Sequence, residues 1–355
     1  ASGAPAGAEF QVNTYTVNLQ GPPAVAADAQ GNFVVVWASQ IDGALMGIAG
    51  QRFDAAGVPQ GGEFQVNTYT TSDQRSPAIA ADGAGNFVVV WNSYGQDGPG
   101  FSVFGQRFSS SGAPLGLEFQ VNSFTTGSQL VPSVAADATG DFVVVWPSHG
   151  QDGQGWGAFG QRFSSAGAPQ GFEFQVNSFT TGDQFYPKVA TDAAGEFIVA
   201  WQSASQDGSN WGVFGQRFNA AGVPQGSEFQ VNSHTPDGQY RPAVASDASG
   251  DFVVTWQSQL QDGLLDGIFG RRLRSAGAPL GGDFQINAFT TGGQQLPAVA
   301  ADGAGNFVVV WQSPQDGSLT GAFGRQIAFS VFSGDFEVGD VCAWSTVVGG
   351  GACPP

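Results

Sequence analysis

The 355-residue chain is poor in several chemically informative residue types. It contains one lysine, two histidines, one methionine and two cysteines, and only 11 basic residues stand against 29 acidic ones. The net charge of -18 repels phosphate groups and excludes nucleic-acid binding through a basic surface. No apolar run approaches the roughly 20 residues that a membrane helix needs, so membrane insertion is excluded as well. The two histidines do not have the spacing of a zinc site.

The chain is rich in glycine and aromatic residues, with 54 Gly, 30 Phe and nine Trp. Comparison of the chain with itself shows a repeat of about 55 residues, present six times. The Phe of Glu9-Phe10-Gln11-Val12-Asn13 returns at 64, 119, 174, 229 and 284, and the Trp of Asn32–Trp37 returns at 91, 146, 201, 256 and 311. A repeat of this kind indicates a stacked architecture built from one structural unit.

Each repeat predicts four short strands bounded by Gly, Pro, Asp or Asn. Examples are strand A at 23–28, strand B at 32–37, strand C at 104–108 and strand D at 9–13. Strand B is apolar on both faces, which is typical of a sheet packed between two other sheets. No segment has helical spacing over three turns. The sequence therefore predicts an all-β, six-bladed β-propeller over residues 1–332, with four antiparallel strands per blade.

The strand order at the two ends predicts how the ring closes. The chain begins with a D strand, whereas the last repeat, 297–327, supplies strands A, B and C without a D strand. An N-terminal strand that completes the last blade removes both free edges. The competing interpretation is an open solenoid, which leaves the first D strand and the last C strand exposed.

A non-repeated tail follows the blades at 333–355. It holds both cysteines, Cys342 and Cys353, and their close spacing predicts a local disulfide. A disulfide indicates an oxidising compartment. Because the chain begins with Ala rather than Met, we expect a secretion signal to have been removed. The sequence thus predicts a secreted, extracellular or cell-surface protein.

The tail also carries apolar residues that the blades do not need. Phe332, Phe336, Val338 and Trp344 lie on a short extension without a core of its own. Such a segment tends to be buried against another surface. A neighbouring copy of the chain is one candidate, which predicts a non-closing homopolymer. The alternative is that the tail folds back on its own sixth blade.

The loops differ in how much they vary among the six repeats. The A–B and C–D turns are nearly uniform, whereas the B–C and D–A connections, which share one face of the ring, are diversified. Aromatic rings beside polar groups on this face suit sugar rings. The candidate ligand-binding residues are Trp156, Trp211, Asp152, Asp207, Phe101 and Tyr186. The alternative for each Trp is that it covers the edge of the neighbouring blade.

Paired carboxylates occur at the A–B turn of three repeats. The pairs are Asp137 with Asp141, Asp192 with Glu196, and Asp247 with Asp251. Such pairs can hold Ca²⁺. The alternative is a purely structural turn, since the other repeats have Asn at the second position and the spacing is unlike that of known calcium loops. No other cofactor is predicted.

Five repeats have an arginine at one position of strand C, as in Arg107 and Arg162, and the sixth has Gln326. A cation repeated at a strand position indicates a structural hydrogen-bond fork or ion pair. Sialidases, which are also propellers, bind a substrate carboxylate with three arginines, but those come from unlike positions. The repeated arginines therefore do not indicate catalysis.

The segments at 305–313, 104–108 and 173–177 resemble a repeat of secreted bacterial β-propeller proteins, often found within large cell-surface polypeptides. The tail at 335–345 is similar to a C-terminal stretch of bacterial exported proteins. The resemblance implies the architecture and brings no catalytic residues. We expect a non-catalytic building block of a surface, matrix or filament, which contacts its own copies or other surface proteins. The alternatives are a carbohydrate-binding lectin that uses the diversified face and a glycan-active hydrolase.

Overall fold

The computed structural model describes residues 7–40, 45–302, 305–317 and 320–328. These residues form 23 strands in six antiparallel sheets, and no helix occurs among them. Five of the sheets have four strands and the sixth has three. The predicted all-β, six-bladed propeller is confirmed.

The six sheets, here blades I to VI, follow the order of the strands in the chain. Blades I to III comprise β1 (Gln20–Ala27), β2 (Phe33–Ser39), β3 (Gly47–Phe53), β4 (Phe64–Gln65), β5 (Gln74–Ala81), β6 (Phe87–Tyr94), β7 (Phe101–Phe108), β8 (Phe119–Gln120), β9 (Ser133–Ala136), β10 (Phe142–His149), β11 (Trp156–Phe163) and β12 (Phe174–Gln175). Blades IV to VI comprise β13 (Gln184–Thr191), β14 (Phe197–Ala204), β15 (Trp211–Phe218), β16 (Phe229–Gln230), β17 (Gln239–Ser246), β18 (Phe252–Gln259), β19 (Asp266–Leu273), β20 (Phe284–Gln285), β21 (Gln295–Ala301), β22 (Asn306–Ser313) and β23 (Gly321–Ala328). The first strand of each blade from I to V contacts the first strand of the next blade.

The second strand of each inner blade is buried on both faces. On one face of β6, Val89 and Trp91 pack with Val34 and Val36 of blade I, and on the other face Val88 and Val90 pack with blade III. The same arrangement recurs between the following blades. The most deeply buried large side chains include Trp91, Trp146, Trp201 and Trp256, which are 0% exposed. The core is therefore a series of sheet-to-sheet interfaces, as the two-sided apolar pattern predicts.

The first strand of most blades carries a β-bulge. In blade II the register with β6 shifts between Arg75 and Ala78, and the intervening Ser76 has a φ of 53°. The equivalent residues of the next blades also have positive φ, namely Val131 (42°), Tyr186 (53°), Arg241 (49°) and Leu296 (54°). This conformation is unfavourable for residues with a Cβ. A bulge leaves these residues outside the regular ladder and re-aims their side chains.

A buried asparagine links each of blades I to V to the next blade. Asn67, after β4, accepts a hydrogen bond from the Ile48 amide of its own blade at 2.7 Å. Its amide group donates to Gln74 Oε1 of the next blade at 3.1 Å. Asn122, Asn177, Asn232 and Asn287 make the same two bonds in their blades. The polar links and the apolar faces together hold adjacent blades in one register.

The N-terminal segment makes one half of the contacts that ring closure requires. The Phe10 and Phe53 ring centroids are 5.3 Å apart, and the Thr14 amide donates to Glu63 Oε2 at 2.9 Å. Phe64 packs on blade II in the same way, and Thr68 donates to Glu118. The segment thus occupies the position of a preceding D strand beside blade I.

The other half of the closure is not seen within the described residues. They show no ladder between the segment at 9–13 and β23, whose blade has three strands. The outward faces of the end blades are exposed, with Val25 at 64%, Val308 at 46% and Val310 at 45%. The equivalent Val34 and Val36 of blade I are buried. Pairing of the N-terminal strand with β23 stays a prediction.

The tail lies outside the described residues. The predicted disulfide between Cys342 and Cys353 and the predicted contacts of Phe332, Phe336, Val338 and Trp344 fall there and stay predictions. Within the described residues, no helix is long and apolar enough to cross a membrane.

Candidate functional site on the loop face

Backbone hydrogen bonds place the two diversified loop types together. The Ala204 amide at the end of β14 donates to Asp183 O, and the Gln259 amide at the end of β18 donates to Gly238 O, both at 2.9 Å. Each bond joins the end of a second strand to the connection that precedes the first strand of the same blade. The B–C and D–A connections therefore lie on one face, here called the loop face.

A chain of aromatic rings crosses blades III to V on the loop face. The ring centroids of His149 and Trp156 are 5.1 Å apart, and those of Trp156 and Phe185 are 5.0 Å apart at an interplanar angle of 89°. Phe185 meets Tyr186 at 4.7 Å, and the Arg241 guanidinium carbon lies 4.5 Å from the Tyr186 ring centroid. We call these five residues the aromatic–cationic cluster. Edge-to-face rings and a cation over a ring are favourable arrangements.

Local backbone structure positions the members of this cluster. The Trp156 amide, at the start of β11, donates to Asp183 Oδ1 of the next blade at 3.0 Å. Tyr186 and Arg241 are bulge residues of β13 and β17, and the Arg241 amide donates to Gln202 Oε1 of blade IV at 2.9 Å. Blades III, IV and V are thus tied together at the point where their variable side chains meet.

Lys188, the single lysine of the chain, lies on β13 two residues after Tyr186. Burial lowers the pKa of its amine, and the neighbouring positive charge of Arg241 lowers that pKa further. The ion pairs of the described residues involve Arg75, Arg271 and Arg272, and none of them involves Lys188 or Arg241. Arg241, over the Tyr186 ring, and Lys188, whose pKa it lowers, therefore have no carboxylate ion-pair partner among the described residues.

Tyr240, next to Arg241, brings a hydroxyl group and two carboxylates to the same end of blade V. The pKa of Tyr240 is raised by burial, then by the negative charges of Asp266 and Asp237. Asn210 of blade IV donates to Tyr240 Oη at 3.1 Å, and Gln295 of blade VI donates to Asp266 Oδ2 at 2.8 Å. Carboxylates near a tyrosine hydroxyl group can carry out acid–base chemistry.

The structure brings some of the predicted ligand-binding residues together and separates others. Trp156 and Tyr186 belong to the cluster. Trp211 starts β15 and bridges to Gly238, near Asn210 and Tyr240. Phe101 lies apart in blade II, where it packs edge-on against Tyr94 at 5.1 Å.

The two predicted aspartates brace their own loops. Asp152 Oδ1 accepts the Gln154 amide at 3.0 Å, and Asp207 Oδ1 accepts the Ser209 amide at 3.0 Å. Asp207 also accepts from Gln230 at 3.3 Å. Both carboxylates thus stabilise the B–C turns, although Asp152 Oδ2 is buried without a hydrogen-bond partner within the described part of the chain.

Sequence reasoning missed Phe185, Lys188, Arg241, Tyr240, Asp237 and Asp266. One signal was available for Lys188, because the equivalent residues of the other blades are Ala24, Ala78, Ser133, Ala243 and Ala298. A lysine at a position that otherwise holds a small residue is a departure from the structural pattern. Arg241 and the two carboxylates carry no such signal.

The predicted calcium pairs serve mainly as turn braces. Asp137 Oδ1 accepts the Asp141 amide at 3.1 Å, and Asp192 Oδ1 accepts the Glu196 amide at 2.9 Å. At the third pair Arg272 lies 3.7 Å from Asp247 and 3.2 Å from Asp251. Over residues 7–40, 45–302, 305–317 and 320–328 no three His, Cys, Asp or Glu side chains gather as metal ligands. Calcium at the three turns stays a prediction.

The repeated C-strand arginines lie on the opposite face from the cluster and join neighbouring blades. Arg52 Nη1 donates to Ser110 O at 2.8 Å, and Arg162 Nη1 donates to Ala221 O at 2.8 Å. This is the structural fork that their repetition predicts. They do not contribute to the loop face.

No family model matches the chain, and no curated protein matches it. Solved structures do match. A Dyadobacter fermentans protein of unknown function is 9% identical, with a TM-score of 0.59 over 86% of this chain and 94% of that one. An α-L-arabinofuranosidase from Fusarium graminearum is 10% identical, with a TM-score of 0.58 over 88% and 94%. A Penicillium chrysogenum α-L-arabinanase in complex with arabinobiose is 14% identical, with a TM-score of 0.56 over 84% and 90%.

At these identities the likeness establishes the fold. It also corrects two expectations from the sequence, namely a non-catalytic building block and a protein without enzymatic activity. The same propeller fold occurs in enzymes that cleave glycans. The assembly contacts on which the first expectation depended fall on the tail, outside the described residues.

Proposed function

We propose that the loop face binds a glycan and hydrolyses a glycosidic bond between blades III and V. The observation that carries this proposal is the aromatic–cationic cluster, whose Arg241 directly follows Tyr240, a residue that feels the charges of two carboxylates. The flat face of a sugar packs well on an aromatic ring, and its hydroxyl groups need polar partners within reach. Both are present here on three adjacent blades.

The chemistry requires a proton donor and an ionised carboxylate on either side of the bond that breaks. Asp237 and Asp266 are the two carboxylates that act on the Tyr240 hydroxyl. A hydrogen bond from Gln295 holds the Asp266 carboxylate in place, so we assign it the role of base or nucleophile. Asp237, the other of the two carboxylates, is assigned the remaining role of proton donor. Tyr240 positions the sugar between them.

The fold supports a glycan-cleaving function. An α-L-arabinofuranosidase and an α-L-arabinanase share the propeller architecture over most of their length. Glycan hydrolysis is also consistent with the extracellular setting that the sequence predicts, which remains part of this proposal.

The test is hydrolysis of a panel of plant and bacterial oligosaccharides, measured as the release of reducing ends. We expect D266N and D237N to lower kcat by at least about a hundredfold while substrate still binds. W156A should raise KM more than it lowers kcat, because the ring contributes binding. D73N, in the D–A connection of blade II, is the matched control and should leave hydrolysis unchanged. Binding without any hydrolysis, or full activity in both variants, would overturn the catalytic role.

A further inference from the structure

The inference concerns the charge of the substrate and rests on the proposed function. Lys188 and Arg241 lie on adjacent first strands, β13 and β17, at the inner end of the loop face. Like charges that lie close together are unfavourable, and a half-buried amine adds the cost of desolvation. Neither cost is offset by an ion pair within the described residues. A negatively charged ligand would offset both the repulsion and the desolvation cost.

Lys188 has no evident structural role. Four of the five equivalent residues are alanine and the fifth is serine, so the blade packs without a long side chain at this position. The lysine also stands out in a chain with a net charge of -18, where cations are scarce. Perturbed charged groups that the fold does not need are typical of functional sites.

Arg241 presents its guanidinium for binding. Arg241 is exposed, and its guanidinium carbon lies over the Tyr186 ring, 4.5 Å from the centroid. In the described part of the chain only its backbone amide makes a hydrogen bond, to Gln202. The edge of a guanidinium fork matches the two oxygens of a carboxylate.

We propose that Lys188 and Arg241 bind the carboxylate of an acidic sugar residue, such as a hexuronic acid, while the Trp156 and Tyr186 rings contact the sugar ring. The substrate of the loop face is therefore an acidic rather than a neutral glycan. The repeated arginines of strand C lie on the opposite face and take no part.

The test compares sugars that differ only in charge. The probes are a galacturonate trisaccharide, its methyl ester and an arabinotriose, and the dissociation constants are measured by calorimetry at low salt. We expect the acid to bind at least about tenfold more tightly than the ester, and K188A and R241A each to lose about tenfold for the acid alone. R75A is the control, because Arg75 lies on the same face but is paired with Asp73 at 2.7 Å.

The melting temperature separates a binding role from a structural one. K188A restores the residue of the other blades, so its melting temperature should be unchanged or higher while its affinity for the acid falls. Equal affinity for acid and ester, or equal loss of both in K188A, would overturn the inference. If neutral arabinotriose binds best and D266N abolishes its hydrolysis, the acidic-sugar inference fails and the proposed function stands. If none of the three sugars binds, the acidic-sugar inference fails, and if no member of the full oligosaccharide panel is cleaved, the proposed function fails too.

Discussion

The Arg241 guanidinium lies 4.5 Å from the ring centroid of Tyr186, although the two residues belong to neighbouring blades and are 55 positions apart. Both occupy the bulge of a first strand. The repeat therefore places one equivalent position over the next, and the side chains chosen at these two copies make a contact that other blades do not need. The candidate site is a property of the interface between blades IV and V.

Replacing Lys188 by Ala should increase the free energy of unfolding at neutral pH. Burial and Arg241 lower the pKa of the folded amine below its ordinary value of about 10.4, so the charged form destabilises the fold. As pH rises from the lowered pKa towards the unfolded value, wild type gains stability and the difference between the two proteins closes. Denaturant unfolding of both proteins between pH 7 and 11 measures this. A K188A protein that is less stable than wild type throughout would contradict the argument. R75A is the control, and its difference in stability from wild type should not change over the same pH range.

Removal of one inter-blade asparagine should cost about 1 to 3 kcal/mol. In N177A the buried Ala158 amide loses its acceptor and Gln184 loses a donor. Gln175, exposed on β12 in the same segment, provides the matched control, and Q175A should change the free energy of unfolding by less than about 0.5 kcal/mol. Equal effects of the two substitutions would show that Asn177 does not link the blades.

The N-terminal strand should pair with β23 and close the ring. The pairing of Phe269 with Gln285 in blade V predicts that Phe323 faces Gln11 in blade VI. In a chain with Cys342 and Cys353 replaced by Ser, the pair Q11C and F323C should form an intramolecular disulfide, seen as a mobility shift without reductant. The pair Q11C and F269C is the control and should remain reduced. Absence of the cross-link in the first pair would contradict closure of the ring by the N-terminal strand.

Glycine should be tolerated at the bulge and not in the neighbouring strand. Val131 has a φ of 42°, a conformation that costs about 1 to 2 kcal/mol for a residue with a Cβ. V131G relieves this strain and offsets the entropy cost of Gly, so stability should change little. V143G, at a 3% exposed position of β10, should lose more than about 2 kcal/mol. A similar loss at both positions, measured by denaturant unfolding, would mean that Val131 is not strained.

The architecture followed from the sequence because strand B repeats without interruption. Val34 and Val36 lie on one face and Trp37 on the other, and stacking the six sheets against each other buries both faces. Trp156 and Tyr186 could also be predicted from the sequence, because they lie in the B–C and D–A connections, which differ among the repeats. Lys188 and Arg241 were not predicted as a pair, because they meet only through the bulges and the packing of two blades. The same holds for Asp237 and Asp266, which are 29 positions apart in the chain and both raise the pKa of Tyr240.

The bulge at the start of the first strand has a practical consequence. Five blades present a left-handed residue there, each followed by a proline that begins the regular part of the strand. At these positions the backbone conformation is the same but the residue type is not. Ser76, Val131, Tyr186, Arg241 and Leu296 differ widely in size and charge. A combinatorial library confined to them would leave the inter-blade core untouched. The propeller is thus a scaffold whose recognition surface can be retargeted one blade at a time.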